Sequence, residues 1–388
     1  MEKIKIGLFV DSFFPMLDGV ISVVDNYARR LAKYADVTVF TVYGRTDYDD
    51  SVFPYKVVRC KSLKVGFLDY NLGRPKSDKK FMEALNNSNL DIVHIHSPFT
   101  LGKIGVDYAK KHNIPVVATN HSQFKKDFYQ ATKSKLLTNI LLKYIMKVFN
   151  KCDENWAVNS EVAKVFYSYG AKIMPKVENN ATDMMYLEKS SIKDEFYQKY
   201  NIKDGDKILL FLGRIVALKN IFFILDSMKY LKEKNFNFKM FYVGTGTEFD
   251  LLNEKIKQME LTDCVFTLGK VSDRKYIAEL FRVSDLFVFP SKYDCSSIVQ
   301  IEAASQKVPT LFLKGSVTAC DITDGVNGYL SEDSIEQYGQ KIIEIFDNEK
   351  LHNEIKENVY RDLYVNWDTK IDQIYNKYIE IIKNKKGL

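Results

Sequence analysis

Cysteine is scarce in this chain of 388 residues, and the five cysteines stand singly. No two of them form a CxxC pair, and their number is odd. A dispersed, odd set predicts reduced thiols in a reducing compartment and argues against a disulfide framework.

Long hydrophobic runs are also missing from the sequence. No segment reaches the roughly 18 consecutive apolar residues that a membrane-spanning helix requires. Too few apolar residues precede Asp11 to form the apolar region of a signal peptide, which needs about 7–15 residues. We therefore expect a cytoplasmic protein, with peripheral attachment to the inner face of the cell membrane left open.

Several motifs that would identify a function are absent. The chain has no GxxxxGK(S/T) motif, which argues against a P-loop kinase, and no GxSxG motif, which argues against a hydrolase with a nucleophile elbow. Gly244-Thr245-Gly246 lacks the third glycine of GxGxxG, so it does not by itself indicate dinucleotide binding. The formal net charge is only +6 and no nucleic-acid-binding motif accompanies it, so nucleic acid is not an expected partner.

The chain does contain a globular composition and a regular alternation of patterns. Hydrophobic residues make up 46% and charged residues 27% of the chain, which excludes wholesale disorder. Short apolar runs alternate with amphipathic helical patterns such as Ile21–Tyr34 and Leu101–His112, as in parallel βαβ units. The runs predicted as buried strands are Lys5–Val10, Val37–Val42, Ile92–His96, Val116–Thr119, Asn155–Val158, Ile208–Leu212, Phe238–Val243, Val265–Leu268, Leu286–Phe289 and Thr310–Leu313.

This alternation occurs twice along the chain. The polar, weakly patterned stretch Lys176–Lys203 predicts a connector between the two halves. Two successive α/β halves predict two doubly wound, Rossmann-like domains, residues 1–180 and 181–365, that face a central cleft. Ligands of such sheets bind beyond the carboxyl ends of the strands. The segment 366–388 carries a helical apolar stripe, and its helix can pack on either domain, including back on the N-terminal one.

Two cations follow the first predicted strand of the second half. Arg214 comes directly after the strand and Gly213, and Lys219 lies five residues later. A guanidinium can grip a phosphate with two hydrogen bonds, an ammonium adds positive charge, and the amides of a helix N-terminus also favour anions. The pattern predicts a diphosphate site, and two solvated surface cations are the alternative.

Two carboxylates follow the predicted strand that ends at Phe289. Asp294 would lie on the loop, and Glu302 would lie on a helix that we expect to begin at Ser296, because serine is a good N-cap. Two acids at this spacing can hold a polyhydroxylated ligand while the helix N-terminus holds its phosphate. The alternative is a capping aspartate and a solvated glutamate.

Histidine occurs at the ends of two strands in the first half. His121 can bond a ligand hydroxyl, act as a base or be purely structural. His94 and His96 share one strand face, but no third ligand with suitable spacing follows, so packing or polar roles are favoured over a metal pair. The acidic stretch 47–50 resembles a DxD metal site, and a solvated turn is the favoured interpretation.

Basic residues cluster in two segments of the first half. Residues 56–80 contain eight cations and two acids, with apolar side chains within 65–70, and residues 125–151 contain seven cations and one acid. A positive, apolar-studded surface attracts anionic lipid, by about 1 kcal/mol for each cation close to the surface. The segments favour contact with an anionic membrane surface, and the alternative is a solvated helix face with a loop that covers an acceptor.

Together these motifs resemble the retaining GT-B glycosyltransferases of glycosyltransferase family 4, over nearly the whole chain. The stretches HIHSPFTLG and ATNHSQFKKDFY are most similar to the bacterial diacylglycerol glucosyltransferases. The fold implied is α/β, with an acceptor-binding N-terminal domain and a C-terminal domain that binds a nucleotide sugar. The matching stretches are Gly7–Val20, Asp91–Gly102, Thr119–His121, Gly213–Lys219, Val243–Gly246, Phe289–Glu302 and Asp324–Leu330.

The resemblance also implies roles for individual residues. Arg214 and Lys219 would bind the donor diphosphate. Asp294 would contact the transferred sugar, and His121 would lie near the reacting face and the 6-hydroxyl of that sugar. The further donor contacts would be Gly19 near the diphosphate, Ser297 and Ile298 at the phosphate and sugar, Glu302 at the ribose and Lys270 at the base.

The activity implied is that of a metal-independent, retaining hexosyltransferase. We expect it to move a hexose from a nucleoside-diphosphate sugar, with UDP favoured, to a hydroxyl of a lipid or lipid-linked acceptor, without a cofactor. A transferase that acts on a capsule, teichoic acid or other glycan, and an epimerase or phosphorylase of the same fold, are alternatives. Asp294 and Cys295-Ser296-Ser297 stand where the family pattern has a glutamate and a glycine-rich loop, which keeps a non-catalytic binding protein as a further alternative.

Overall fold

The computed structural model describes residues 3–16, 18–44, 48–64, 71–292 and 294–387. The chain divides into two compact units. The first unit contains Met1–Asn180 together with Trp367–Leu388, and the second contains Ala181–Asn366. The chain thus leaves the first unit after Asn180 and returns to it at Trp367.

The first unit is built on a parallel sheet. Its strands are β1 (Lys5–Phe9), β2 (Asp36–Val42), β3 (Lys56–Cys60), β4 (Ser62–Lys64), β5 (Asn71–Gly73), β6 (Ile92–Ile95), β7 (Val116–Asn120), β8 (Glu154–Ala157) and β9 (Lys176–Val177). Seven of them pair in the order β3-β2-β1-β6-β7-β8-β9, and β4 and β5 form a separate antiparallel pair. The strand order reverses direction between β1 and β6, which makes the carboxyl ends of these two strands the switch point of the sheet.

Helices connect these strands. They are α1 (Gly19–Leu31), α2 (Lys79–Asn86), α3 (Thr100–His112), α4 (Phe124–Thr132), α5 (Lys135–Phe149) and α6 (Ser160–Ser168). Helix α1 begins two residues earlier than its apolar pattern predicts, because the Asp18 side chain accepts a hydrogen bond from the Ile21 amide and caps the helix. The apolar faces of the helices bury strands whose own residues are apolar on both sides.

The second unit repeats this architecture. Its strands are β10 (Lys207–Leu212), β11 (Phe238–Val243), β12 (Val265–Gly269), β13 (Leu286–Val288), β14 (Thr310–Leu313) and β15 (Tyr329–Ser331), and they pair in the order β12-β11-β10-β13-β14-β15. All the pairings are parallel. The switch point of this sheet lies between β10 and β13. Its helices are α7 (Lys193–Lys199), α8 (Ile221–Glu233), α9 (Phe249–Gln258), α10 (Arg274–Val283), α11 (Ile298–Ser305), α12 (Ile335–Asp347) and α13 (Glu349–Leu363).

The predicted fold class is confirmed. Each of the ten predicted strands is present, and no strand end differs from its predicted position by more than one residue. The connector is more ordered than its polar sequence predicts, because it contains β9 and α7, and Asn180 and Thr182 within it are buried. The Thr182 amide donates to the Val365 carbonyl at 2.9 Å, so backbone pairing rather than solvent satisfies this segment.

The C-terminal helix α14 (Trp367–Lys386) packs on the first unit against α1. Its apolar stripe is buried, and the ring of Tyr378 stacks on that of Trp156 with 5.9 Å between centroids. No helix within the described residues, α14 included, combines the length and the apolar character needed to cross a bilayer.

A buried carboxylate joins α14 to the end of the sheet. Glu178 is 4% exposed and accepts a hydrogen bond from the Lys370 ammonium at 2.8 Å and another from Lys377. Burial alone would raise the pKa of Glu178, but the hydrogen bonds from the two lysines outweigh it and lower the pKa. Because Lys370 is itself buried, removal of Glu178 would leave an unpaired buried cation.

Glu178→Gln should therefore destabilise the first unit by about 3 kcal/mol. Both tryptophans, Trp156 and Trp367, lie buried in that unit, so urea unfolding followed by tryptophan fluorescence reports on it directly. A free glutamate titrates near pH 4.3. Because the pKa of Glu178 is lower in the folded protein, its contribution to the free energy of unfolding is present above that pH and is lost as pH falls through the folded pKa. The Glu178→Gln variant should lack this pH-dependent loss.

Glu161→Gln is the matched control in the same unit. Glu161 pairs with Lys164 at 2.6 Å on the surface, where both side chains are exposed, and such pairs contribute less than about 1 kcal/mol. Equal effects of the two substitutions would contradict a structural role for the buried pair.

Candidate active site

The candidate donor site begins with the loop that follows β10. Arg214 is exposed at the start of this loop, and its guanidinium has no ion-pair partner among the described residues. Ile215 next to it is fully buried, and its amide donates to the Thr245 carbonyl at 3.0 Å. The buried neighbour fixes the backbone while Arg214 stays available to a ligand.

Two glycines in the loop after β11 allow that loop to pack closely against the loop of Arg214. A Cβ atom on Gly244 would lie 1.9 Å from the Gly213 carbonyl oxygen, and one on Gly246 would lie 2.1 Å from the Ile215 carbonyl oxygen. No side chain fits at such distances, so only glycine lets the two loops pack backbone against backbone. The incomplete GxGxxG pattern thus has a structural role beside Arg214 that motif matching alone does not reveal.

Lys219 and Asp294 form an ion pair across the switch point of the second sheet. Lys219 ends a 3₁₀ turn, Ala217–Lys219, in the loop after β10, and Asp294 lies in the loop after β13. The Lys219 ammonium also lies 5.5 Å from the centroid of the Phe289 ring, and Ser291 Oγ donates to the Asp294 carboxylate at 2.5 Å. The strand order β10-β13 brings together two residues that are 75 positions apart in the sequence.

Helix α11 follows this loop and begins later than predicted. The sequence interpretation placed its start at Ser296, whereas Ser297 is the N-cap and Ile298 is the first helical residue. Ser297 has the extended backbone of an N-cap, which is the physical reason for the shift, and its side chain makes no capping hydrogen bond. Because the Ser297 side chain does not cap the helix, the first amides of α11 are not committed to it and can serve an anion.

Glu302 lies on α11 and is not the solvated glutamate of the alternative interpretation. Its side chain is buried, and Oε1 accepts a hydrogen bond from the Arg274 guanidinium at 2.7 Å. Arg274 itself is largely exposed at the start of α10. The sequence analysis did not identify Arg274, because the arginine precedes Glu302 by 28 residues and only the fold brings the two together.

The other predicted donor contacts lie on surfaces of the two units. Lys270 directly follows Gly269 at the end of β12 and is exposed, and Ile298 is partly buried. In the first unit, Gly19 is the first residue of α1, and a Cβ atom built on it would meet nothing within 4 Å. The Gly19 position therefore has the open space that close approach of a ligand requires.

Asp11 organises the strand ends of the first unit. Its carboxylate accepts hydrogen bonds from Ser97 Oγ at 2.5 Å, from Thr100 Oγ1 at 2.8 Å and from the Leu101 amide at 2.9 Å. These bonds tie the loop after β1 to the start of α3. The sequence analysis gave Asp11 no role, since its partners lie about 90 residues away.

Three histidines cluster at the carboxyl ends of β6 and β7. His94 Nδ1 lies 2.5 Å from the Tyr378 hydroxyl and Nε2 lies 2.7 Å from Thr119 Oγ1. His96 Nδ1 lies 3.1 Å from His121 Nε2. His94 and His96 thus have polar partners, which is one of the roles that the sequence analysis favoured for them. Within the described ranges no group of three or more metal-ligating side chains occurs.

Burial keeps these imidazoles neutral. It lowers the pKa of His121 to about 4 and lowers the pKa values of His94 and His96 well below the ordinary value. At neutral pH each ring therefore carries one proton and can donate through one nitrogen only.

The basic segments are only partly a surface feature. The side chain of Arg59 is only 5% exposed and forms two 2.7 Å hydrogen bonds with Asp50, so it adds little charge to the surface. Residues 65–70 and Asp47 lie outside the described residues. Asp49 caps a short 3₁₀ turn by accepting from the Ser51 amide, which accords with a turn at 48–50.

Family models match both units. The model for glycosyl transferases group 1 matches residues 192–362, and the model for glycosyltransferase family 4 matches residues 17–176.

Two relatives share the name alpha-monoglucosyldiacylglycerol synthase. The protein of Streptococcus pneumoniae is 26% identical over 315 residues, which cover 79% of this chain and 70% of the relative. The protein of Acholeplasma laidlawii is 25% identical over 372 residues, which cover 91% of each chain.

Solved structures share the architecture. The Anabaena protein HepE, in complex with UDP, superimposes with a TM-score of 0.77 and covers 97% of this chain and 100% of its own, with 15% identity. A sucrose-phosphate synthase from Thermosynechococcus elongatus also gives a TM-score of 0.77, covering 98% of this chain and 100% of its own, at 17% identity. Matching domain models in this order, on two sheets of this topology, identify the family. The chain belongs to the GT-B glycosyltransferases, with a family 4 domain in its first unit and a group 1 domain in its second.

Proposed function

We propose that this glycosyltransferase transfers a hexose from a nucleoside-diphosphate sugar, with UDP favoured, to a hydroxyl of a lipid or lipid-linked acceptor at the inner face of the membrane. The transfer retains the anomeric configuration and uses neither a metal ion nor a cofactor. The observation that carries the proposal is the arrangement of Arg214 and the Lys219–Asp294 pair at the switch point of the second sheet.

The cations act on the leaving group. Negative charge builds up on the diphosphate as the glycosidic bond breaks, and fixed donors at that position stabilise the transition state more than the ground state. Arg214 supplies a guanidinium fork, and Lys219 can donate one hydrogen bond to Asp294 and still offer two to phosphate oxygens. The first amides of α11, which the Ser297 side chain does not cap, would add further donors. These donors together are the basis for expecting no metal.

The state of Asp294 supports retention without a covalent intermediate. A carboxylate nucleophile, as in retaining glycosidases, needs a free oxygen at the anomeric carbon. Asp294 is held by Lys219 and Ser291, which reduces its nucleophilicity and suits it to bind sugar hydroxyls. Attack by the acceptor on the same face, with a diphosphate oxygen taking its proton, accommodates this arrangement.

The remaining donor contacts follow from the second unit. Glu302, oriented by Arg274, would bind the ribose hydroxyls, and Lys270 would contact the base. HepE, in complex with UDP and with UDP-glucose, supports a uridine nucleotide as the first donor to test. A corynebacterial relative is named for a GDP-mannose-dependent activity, so GDP-mannose belongs in the same test.

Two observations support a lipid acceptor. Both relatives described above are named as synthases of a glucosyldiacylglycerol. The second observation is the α5 face, which we define as Leu136, Leu137, Ile140 and Tyr144, all exposed on one side of helix α5. Leu136 is 71% and Ile140 is 53% exposed, which is unusual for clustered large apolar side chains on a soluble surface.

Lysines surround the α5 face. Within α5 the exposed cations are Lys135, Lys143 and Lys147, and the helix contains no acidic residue. An apolar stripe bordered by lysines is the pattern of a helix that lies on an anionic bilayer, with its apolar side chains below the headgroups. Such contact would bring the enzyme to a membrane-embedded acceptor.

Other outcomes are separable by product analysis. A glycan acceptor is favoured if capsule or teichoic acid fragments are glycosylated and diacylglycerol is not. An epimerase would convert UDP-glucose without any acceptor, a phosphorylase would require inorganic phosphate, and a binding protein would be stabilised by the nucleotide sugar without turnover. Thermal shift detects binding in all these cases, since a ligand at 100 Kd stabilises by about 2.7 kcal/mol.

Arg214→Ala should lower kcat by about 10²–10³-fold, because it removes a fixed donor to the leaving group. The measurement is UDP release from UDP-glucose with dioleoylglycerol in mixed micelles, with and without EDTA, and proton NMR of the product gives the anomeric configuration. We expect an α-linked product and no effect of EDTA.

Arg361→Ala is the matched control, since Arg361 is exposed in the same unit and pairs with its neighbour Asp362. Unchanged turnover in Arg214→Ala would refute the role of Arg214 at the leaving group. A loss of activity with EDTA would refute metal independence.

The double substitution Leu136→Glu and Ile140→Glu should reduce sedimentation with vesicles of phosphatidylglycerol and phosphatidylcholine at least tenfold, because it places charge where apolar side chains enter the bilayer. The wild-type protein should bind these vesicles more tightly than pure phosphatidylcholine, and added salt should weaken the preference.

Leu251→Glu provides the comparison, because Leu251 is a similarly exposed leucine of the second unit. Its vesicle binding should match the wild type. Equal binding of the wild-type protein to both vesicle types would contradict the proposed contact with an anionic membrane.

A further inference from the structure

His96 and His121 form a hydrogen-bonded imidazole pair at the strand ends of the first unit. His96 Nδ1 and His121 Nε2 are 3.1 Å apart, which is a hydrogen-bond distance. The rings stack at 5.4 Å between centroids. His96 is buried, whereas His121 is only partly buried.

A hydrogen bond between two neutral imidazoles requires one proton between the two nitrogens. That proton belongs either to His96 Nδ1 or to His121 Nε2. The choice fixes the tautomer of both rings, since a neutral imidazole carries only one N–H. The other nitrogen of His121, Nδ1, is therefore a donor in the first case and an acceptor in the second.

The other nitrogen of His96 decides between these cases. His96 Nε2 is buried and has no hydrogen-bond partner among the described residues. If His121 donated, His96 would carry its proton on Nε2, as a buried N–H without an acceptor. Orphaned N–H donors are rarer in protein interiors than under-satisfied acceptors, so the proton is assigned to His96 Nδ1.

We propose that His96 is a positioning residue that donates through Nδ1 to His121 Nε2 and so fixes His121 as the Nδ1–H tautomer, which presents a hydrogen-bond donor to a hydroxyl of the bound sugar. The first part concerns the free protein alone. The second part, the sugar hydroxyl, rests on the proposed function. A neutral donor of this kind orients a sugar and is not a general base.

Neighbouring side chains hold His96 in this orientation. The ring of His94 lies against it, with 4.0 Å between centroids, and the ring of Tyr27 approaches it edge-on at 5.5 Å. Both nitrogens of His94 are occupied by Tyr378 and Thr119, so His94 does not compete for His121. Helix α14 thus supports the pair through Tyr378.

Long-range ¹⁵N–¹H correlation spectra of the ¹⁵N-histidine-labelled full chain test the first part. The chain has only five histidines, so His121→Gln and His96→Leu assign the two signals. We expect His121 in the wild type to be protonated on Nδ1 and unprotonated on Nε2, and His96→Leu to leave His121 as a mixture of tautomers. Protonation of His121 on Nε2 in the wild type would overturn the proposal.

Turnover of UDP-glucose tests the second part. His96→Leu should lower kcat about tenfold through loss of one orienting hydrogen bond. His96→Asn should recover most of that loss, because its amide can place a donor near the position of Nδ1. If the role of His96 were merely structural, the losses of kcat would follow the melting temperatures of the variants. The side-chain amide of His96→Asn would then give no recovery of its own.

His352→Leu is the control for loss of a buried histidine. His352 lies in the second unit and bonds the Tyr329 hydroxyl through Nδ1 at 2.8 Å, so its loss should lower stability without changing the His121 signals. If the tautomer is as expected but the wild type does not turn over UDP-glucose, the positioning role stands and the proposed donor is wrong. If His96→Asn is as impaired as His96→Leu at equal stability, the positioning role is wrong.

Discussion

The order of the parallel strands is the constraint on which the candidate active site depends. In each sheet the chain turns back at one point, between β1 and β6 and between β10 and β13, and at that point the loops from two adjacent strands leave in opposite directions. Side chains far apart in sequence meet there. Lys219 meets Asp294 in the second unit, and Asp11 meets Ser97 and Thr100 in the first.

Both units combine a rigid apolar base with polar groups that depend on one another. Ile215 anchors the loop of Arg214, and Gly244 and Gly246 allow the neighbouring loop to approach it closely. At the ends of β6 and β7, burial removes positive charge from the histidines, so their hydrogen-bonding pattern rather than their charge determines what they can do. The second unit thus presents cations at its switch point, and the first presents neutral imidazoles.

The sequence was sufficient to predict ten of the fifteen described strands, because a strand buried on both faces is a short apolar run whatever its neighbours are. It also placed Arg214, Lys219, Asp294 and Glu302 after the correct strands. Strands β3, β4, β5, β9 and β15 were missed. Four of them have only two or three residues, which carry no periodicity, and the edge strand β3 is a short run that contains two charged residues, Lys56 and Arg59. The ion pairs that engage Asp294 and Glu302, and the partner of Glu178 on α14, depend on contacts across 28 to 192 residues, which no local pattern contains.

The return of the chain to the first unit has a consequence for biosynthesis. Domains generally fold in order as they leave the ribosome, but the first unit requires α14, which is made after the whole second unit. Until Tyr378 and Lys370 emerge, Trp156, His94 and Glu178 lack the partners that cover them. A nascent chain would therefore carry a folded second unit and an unfinished first unit, and the polar network around the histidines would close only after α14 has emerged.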